Sequence, residues 1–225
     1  MNRISTVVFD FDGVLADTEG LHLRAFQEVF ATRGWTLDAA AYFDRYLGYD
    51  DQGLVVAFNE DHQLGLGAVA IGDLVETKGR IFAGFLEAGD VLFPNARACV
   101  TALATRFQLG IASGALHGEI AMILEAAGLS SLFPVVVAAD DVTACKPSPE
   151  PYVTAAARLG VDPASCVAIE DSQPGLQAAR AAGMRTIGIT TTSPRHLLTG
   201  ADHVIEDLRE LSPDLVLALG RGPGL

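Results

Sequence analysis

Two hydrophobic periods divide this chain. The run Ile4-Ser5-Thr6-Val7-Val8-Phe9 is short, β-branched and cut off by Asp10-Phe11-Asp12-Gly13, which predicts a buried strand ended by a D-G turn. Leu21, Ala25, Phe26, Val29 and Phe30 then repeat at helical spacing up to Arg33, and Gly34 stops them. Helical periods follow over 38–47, 50–64 and 72–88, jointed at Gly48 and at Gly65-Leu66-Gly67. No strand is predicted in this stretch. The second and third helices carry little charge on one face and are expected to pack on each other. Beyond Val91 the period switches repeatedly. Helices are predicted at 94–105, 119–127, 149–159 and 175–182, and strands at 107–112, 133–139, 166–169 and 185–190. A weak strand at 202–205 and a helix ending at Leu219 close the pattern, and the glycine-rich tail is expected to fray.

Apolar strands alternating with helices predict an α/β fold, a Rossmann-like parallel sheet covered on both faces. The first strand is separated from its fellows by helices alone, so an insertion sits directly after the Asp10 turn. The expected organisation is a core of 1–16 and 92–225 and an inserted all-helical unit of 17–91, hinged near Ala16 and Leu92.

Composition narrows the function. A chain of 225 residues accommodates one generous domain, or a domain with an insertion. No apolar window is long enough to span a bilayer, and no basic segment followed by an apolar one opens the chain, so neither a membrane span nor a secretion signal is expected. Three widely spaced cysteines, Cys99, Cys145 and Cys166, argue against a disulfide framework and for a reducing compartment, the cytoplasm. Cys145 beside Lys146 could be reactive, but is read as a half-buried, inert thiol. A formal charge of −13 disfavours nucleic acid as a partner. The same charge means that any phosphate must be received by local positive groups or a metal.

Candidate chemistry gathers where open parallel sheets bind ligands, at the carboxyl ends of the strands. Side chains two apart on an extended backbone point the same way, so Asp10 and Asp12 leave the first strand together unless the chain turns at Asp12. Two such carboxylates both stay ionised only beside positive charge, yet the next fixed charges, Asp17 and Glu19, are acidic. A cation that prefers oxygen, such as Mg²⁺, answers this; a turn with two solvated acids is the plain alternative. Further strand ends supply Ser113 and Gly114, Lys146 a little past the third strand, and Glu170 with Asp171. Singly, each has a plain alternative: Ser113-Gly114 as a strand-to-helix turn with Ser as cap, Glu170-Asp171-Ser172 as the N-cap of the following helix, and Lys146 as a solvated loop lysine. Together, one hydroxyl, one ammonium and several carboxylates on one rim suit a metal and a phosphate.

The set resembles the haloacid dehalogenase-like (HAD) phosphohydrolase superfamily, in particular the branch of β-phosphoglucomutase and the CbbY-type sugar-phosphate phosphatases. Phe9-Asp10-Phe11-Asp12-Gly13-Val14-Leu15-Ala16-Asp17-Thr18-Glu19 is similar to that family's first motif and Ile111-Ala112-Ser113-Gly114 to its second. Lys146-Pro147-Ser148-Pro149-Glu150-Pro151-Tyr152 is similar to the third, and Ala168-Ile169-Glu170-Asp171-Ser172 with Gly175 to the fourth. The resemblance implies a HAD-like core with a helical cap whose side chains choose the substrate. It implies Asp10 as nucleophile forming an aspartyl-phosphate, and Asp12 as general acid and base. Mg²⁺ is implied on the Asp10 carboxylate, the Asp12 carbonyl and Asp171, with Glu170 nearby. Ser113 and the Gly114 amide are implied to hold phosphoryl oxygens, and Lys146 to offset charge. His22 resembles a family histidine that helps cap closure and proton handling.

Two departures matter. Leu47-Gly48-Tyr49-Asp50-Asp51 is acidic where a β-phosphoglucomutase-like chain has a phosphate-clamping arginine, and a polar pair is replaced near Leu116-His117. Both favour hydrolysis of a small phosphorylated metabolite over a phosphosugar mutase; a monomer that binds neither nucleic acid nor membrane is the expected state. Metal-free dehalogenation leaves Asp12 without a task, and a silent interaction module is expected to lack a nucleophile or metal ligand that is present here. Lys78 and Arg24 are candidate substrate contacts, with solvated helix charges as the preferred reading.

Overall fold

The computed structural model describes residues 3–47, 49–87 and 91–220. The joint expected at Gly48, residue 88 of the fourth predicted helix and the tail from 221 onward lie outside the described residues. In chain order the elements are β1 (Thr6–Phe9), α1 (Glu19–Ala31), α2 (Ala39–Ala41), α3 (Asp51–Asp61), α4 (Ala68–Glu87), α5 (Ala96–Ala104), β2 (Gln108–Ala112), α6 (His117–Ala127) and β3 (Val135–Val137). They continue with α7 (Glu150–Leu159), β4 (Cys166–Glu170), α8 (Gln173–Ala181), β5 (Arg185–Ile189), β6 (His203–Ile205) and α9 (Pro213–Leu219). The chain forms two compact units, Met1–Asp17 with Asp90–Leu225, and Thr18–Gly89.

The first unit holds a parallel sheet in the order β3-β2-β1-β4-β5-β6. Strands β1 and β4 are buried along their whole length, as expected of central strands covered on both faces. On one face Tyr152, Ala155, Ala156 and Leu159 of α7, with Ala178 and Ala179 of α8, pack on Val8, Ala112, Val137 and Ala168. Small residues at these helix positions let the backbones approach the sheet closely. β2 and β3 lie on one side of β1, and β4 to β6 on the other. The strand order therefore reverses between β1 and β4, where ligands of open α/β sheets sit. Where the insertion leaves and re-enters, Asp17 N donates to Val91 O (2.8 Å) and Phe93 N to Leu15 O (2.9 Å).

The strand predicted at 133–139 is shorter than expected. Pro134 has no N–H to give to a ladder, and at the far end Ala138 N donates to the Asp141 carboxylate (3.0 Å), turning Ala139–Asp141 into a 3-10 helix.

The second unit is helical throughout its described residues. α1 packs along α4 and α3 also lies on α4, around a core that includes Phe26, Phe30, Leu54, Phe58 and Leu74. The helix predicted over 38–47 is only partly α-helical: after α2 it widens into a π-helical turn, Tyr42–Tyr46, with Leu47 N donating to Tyr42 O (2.9 Å). This wide turn lets two tyrosines bury their rings while their hydroxyls reach carboxylates. Tyr42 donates to Glu19, and Tyr46 to Asp61 (2.9 Å). Tyr46 also meets Phe58 of α3, ring centroids 6.1 Å apart. No described helix is long and apolar enough to cross a membrane.

Candidate active site

β1 sits between β2 and β4, and its register places Phe9 beside both Ile111 and Ile169. Asp10 follows at the carboxyl edge, its N–H donating to Ile169 O (2.9 Å). The chain turns at once: Leu15 N and Ala16 N both donate to Phe11 O (2.8 and 3.0 Å), and Gly13 N donates to Ala16 O (2.9 Å). Asp10 and Asp12 therefore do not leave an extended strand as a pair. Asp10 is 8% exposed and Asp12 half-buried. Gly13 makes this turn possible, with φ at +76° and a Cβ position only 2.0 Å from Asp171 Oδ2.

One ammonium reaches across the sheet to this edge. Lys146 Nζ donates to Asp10 Oδ1 and to Glu170 Oε1, each at 2.6 Å. Glu170 is fully buried and also accepts from the Tyr152 hydroxyl (2.7 Å) and, on Oε2, from Ser172 Oγ (3.0 Å). Both of its oxygens are thus engaged, and its carboxylate lies against Gly175, which has no side chain to displace it. Burial alone would lower the Lys146 pKa, but the charges of Asp10 and Glu170 and their hydrogen bonds together hold it above the ordinary lysine range. Burial, then the Glu170 charge, raises the Tyr152 hydroxyl, so it stays a donor.

Acids outnumber this cation. Carboxylate oxygens of Asp10, Glu170 and Asp171 all lie within 4.8 Å of one another. Burial pushes Asp10 well above the usual carboxylate range; Lys146 opposes the shift, while Glu170 and Asp171 add to it. Burial, then Glu170, pushes Asp171 up to about 7 despite a hydrogen bond with Thr192. Three buried acids share one ammonium, and a site so short of positive charge fits a hard divalent cation with oxygen ligands. Asp10 and Asp171 are the better placed to ligate, because Glu170 already serves Lys146, Tyr152 and Ser172. The Asp12 side chain is not part of the cluster.

Ser113 and Gly114 end β2 on the same edge. Ser113 is buried, its N–H donates to Val137 O (2.9 Å), and its hydroxyl accepts from Ala115 N (3.0 Å) while keeping its own proton to give. Gly114 is exposed with open space around it, so its backbone is accessible. A separate cleft of about 550 Å³, lined by Ile4, Ala164, Arg180, Met184, Arg185 and Asp202 among others, lies at the amino ends of the strands and holds none of these residues.

A family model for haloacid dehalogenase-like hydrolases matches residues 4–183. The chain belongs to this family. Protein CbbY of Rhodobacter capsulatus is 31% identical over 225 residues, covering 96% of each chain. The fructose-1-phosphate phosphatase YqaB of Escherichia coli is 32% identical over 83% of this chain and 97% of its own. A crystal structure of CbbY from Rhodobacter sphaeroides, in complex with xylulose-(1,5)bisphosphate, superimposes with a TM-score of 0.84 at 32% identity, covering 95% of this chain and 99% of that one. These relatives place this HAD-like protein on the CbbY branch, as a phosphoric monoester hydrolase.

In the helical unit of this HAD-like hydrolase, His22 on α1 is tied to Lys78 on α4. Lys78 Nζ lies 2.7 Å from His22 Nδ1 and 2.7 and 2.8 Å from the two Asp51 carboxylate oxygens. An ammonium has no lone pair, so Nδ1 is the acceptor and the His22 proton sits on Nε2. The ring stacks on Phe82, centroids 4.1 Å apart. Burial, then the Lys78 charge, pushes its pKa down to about 3, so His22 is a neutral N–H donor and no acid-base group near neutrality. Lys78 is fully buried, which overturns its reading as a solvated helix charge. Arg24 is exposed, as read, and lies 4.4 Å above the Phe85 ring centroid.

Sequence reasoning missed four pairings: Tyr152 and Ser172 with Glu170, Thr192 with Asp171, and Asp51 with Lys78, although Ser172 does cap α8 as read. Tyr152 shares the helical period of Ala155, Ala156 and Leu159 and so reads as core; the only signal was its place at the end of the Lys146 motif.

Proposed function

We propose that this protein hydrolyses a small sugar phosphate monoester through a phosphoryl group carried on Asp10. The observation that carries the reading is the Asp10 carboxylate held against Lys146, with two further acids within 4.8 Å. Asp10 attacks phosphorus and the ester oxygen leaves with a proton from Asp12. A water then attacks the aspartyl-phosphate, Asp12 accepts its proton, and phosphate leaves with Asp10 restored. Lys146 offsets charge shared between Asp10 and the phosphoryl oxygens. The Ser113 hydroxyl and the Gly114 N–H donate to the non-bridging oxygens. Asp10 and Asp171, with the Asp12 carbonyl, would hold Mg²⁺, which when bound neutralises charge on the transferring group.

Support for a sugar phosphate comes from the fructose-1-phosphate phosphatase relative and the CbbY complex with a sugar bisphosphate. Hydrolysis is favoured over a mutase because Asp50 and Asp51 stand where a clamping arginine would be. A panel of phosphorylated metabolites assayed for phosphate release tests both points. EDTA should silence turnover and Mg²⁺ restore it, Asp10→Asn should abolish turnover with the fold intact, and a trace of sugar bisphosphate should yield no isomerised product. Full activity in Asp10→Asn refutes the nucleophile.

A further inference from the structure

Lys146 stands on a segment that the sheet does not hold. Residues 142–149, between the 3-10 helix Ala139–Asp141 and α7, lie in neither strand nor helix. Thr143, Ala144 and Cys145 are exposed, which corrects the expectation of a half-buried Cys145. Yet the Lys146 ammonium meets Asp10 Oδ1 and Glu170 Oε1 at 2.6 Å each. The Glu150 carboxylate closes this segment. Its Oε1 accepts from Thr143 N (2.8 Å) and its Oε2 from Ala144 N (2.9 Å), so each oxygen takes one of two successive N–H groups. The charge on the acceptor makes such bonds stronger than those between amides and carbonyls. Past the lysine, Ser148 N donates to Cys145 O (3.0 Å), and Glu150 N donates to Ser148 Oγ (3.2 Å). Both sides of Lys146 are therefore drawn onto the first residue of α7. That helix does not need the carboxylate for its own donors. Pro149 and Pro151 carry no N–H, Ser148 takes the Glu150 N–H, and Val153 N donates to Pro149 O (2.9 Å). Two residues on, Tyr152 donates to Glu170, the second acid that Lys146 bonds, and its ring centroid lies 5.2 Å from Lys146 Nζ. One turn of α7 thus secures the lysine at its backbone and at its far acid.

We propose that Glu150 is a positioning residue for the hydrolysis: by clasping the Thr143 and Ala144 N–H groups it fixes the backbone from which Lys146 reaches Asp10. It acts on the reaction only through that lysine. The inference rests on the reading that Lys146 offsets charge shared between Asp10 and the phosphoryl group. All of these residues belong to the first unit.

The test combines kinetics with a direct view of the ammonium. Glu150→Gln keeps the side-chain length but leaves one acceptor for two donors, and kcat/KM should fall about tenfold. Glu150→Ala removes both acceptors and should lower it by about a hundredfold, the cost of misplacing a group by roughly 1 Å. In a Lys146→Met background, Glu150→Gln should lower kcat/KM by less than about twofold, because the group it positions is gone. A role in stability alone would cost the same in both backgrounds. The Lys146 ammonium, largely buried and bonded on two sides, should also give a resolved nitrogen–proton NMR correlation in the parent, and Glu150→Gln should shift or broaden it. An unmoved ammonium signal, or an equal loss of kcat/KM with and without Lys146, overturns the proposal. The NMR measurement needs no Lys146 variant and no turnover, so it decides the matter even if Lys146→Met fails to fold. Parental turnover in Lys146→Met would remove the charge-offset reading, and the ammonium signal would still judge the clasp.

Discussion

Gly175→Ala puts the reasoning at its sharpest, because two rules predict opposite signs. Gly175 lies in the first turn of α8, and Gly→Ala inside a helix ordinarily stabilises by roughly 0.5–1 kcal/mol. Here the new methyl would fall 1.9 Å from Glu170 Cδ and Oε1 and 2.1 Å from Oε2, against an ordinary contact of 3.4 Å or more. The carboxylate must move by more than an ångström, yet it is fully buried and held by Lys146 (2.6 Å), Tyr152 (2.7 Å) and Ser172 (3.0 Å). Losing two of these at roughly 1.5–3 kcal/mol each, less the helix gain, gives a net destabilisation of about 2–5 kcal/mol. At about 2–4 °C per kcal/mol, Tm should fall by roughly 10 °C. Turnover should fall as well, since Lys146 loses one of the two acids that position it. Calorimetry on four proteins isolates the cause: parent, Gly175→Ala, Glu170→Ala, and the double variant. With the carboxylate gone the methyl meets space, and the substitution should return to stabilising. A Gly175→Ala protein that melts at or above the parent, or that loses as much stability in the Glu170→Ala background, refutes the account.

Other expectations follow from the same geometry. With Asp171 raised to about 7, protons compete with Mg²⁺ below neutrality, so calorimetric affinity at pH 6 should be about tenfold below its plateau above pH 8; a flat profile contradicts this. A raised acid means the folded metal-free protein binds more protons than the unfolded chain. The Asp171 contribution to stability should be full below about pH 4 and be lost as pH rises through about 7, so the parent should lose stability relative to Asp171→Asn over that window; an unchanged or rising difference would refute the assignment. Tyr152→Phe removes one donor to Glu170 and should cost about 1–2 kcal/mol in denaturant unfolding. The His22 ring, held neutral by burial and by Lys78, should show no titration between pH 8 and 4 in its NMR shifts; a midpoint near the ordinary value of about 6.5 would overturn its role as a fixed N–H donor.

The parallel α/β sheet was legible because strand and helix periods are properties of neighbouring residues. Apolar runs such as Val7-Val8-Phe9 and Val167-Ala168-Ile169 are rich in β-branched and aromatic residues and have the length of a buried strand. Element ends were less legible where side chains intervened, as when the Asp141 carboxylate turned the backbone after β3 or two tyrosines widened the turn after α2. Asp10, Ser113, Glu170 and Asp171 were legible as candidates because each lies at a strand end, where open sheets bind ligands; Lys146, in the loop beyond β3, and His22, on α1, were reached through the family resemblance. Their partners were not. Asp10 and Lys146 are 136 positions apart, and Lys78 and Asp51 are 27 apart on different helices.

The sequence alone determined the layers, the insertion and which strand ends carry acids and a hydroxyl, all consequences of local period and residue type. Tertiary structure alone decided who neutralises whom. Sheet order brings β4 beside β1, so one lysine is shared by Asp10 and Glu170, and helix packing gives Lys78 to Asp51. Charge pairing inside a protein depends on distance and burial, which pattern along a chain does not encode.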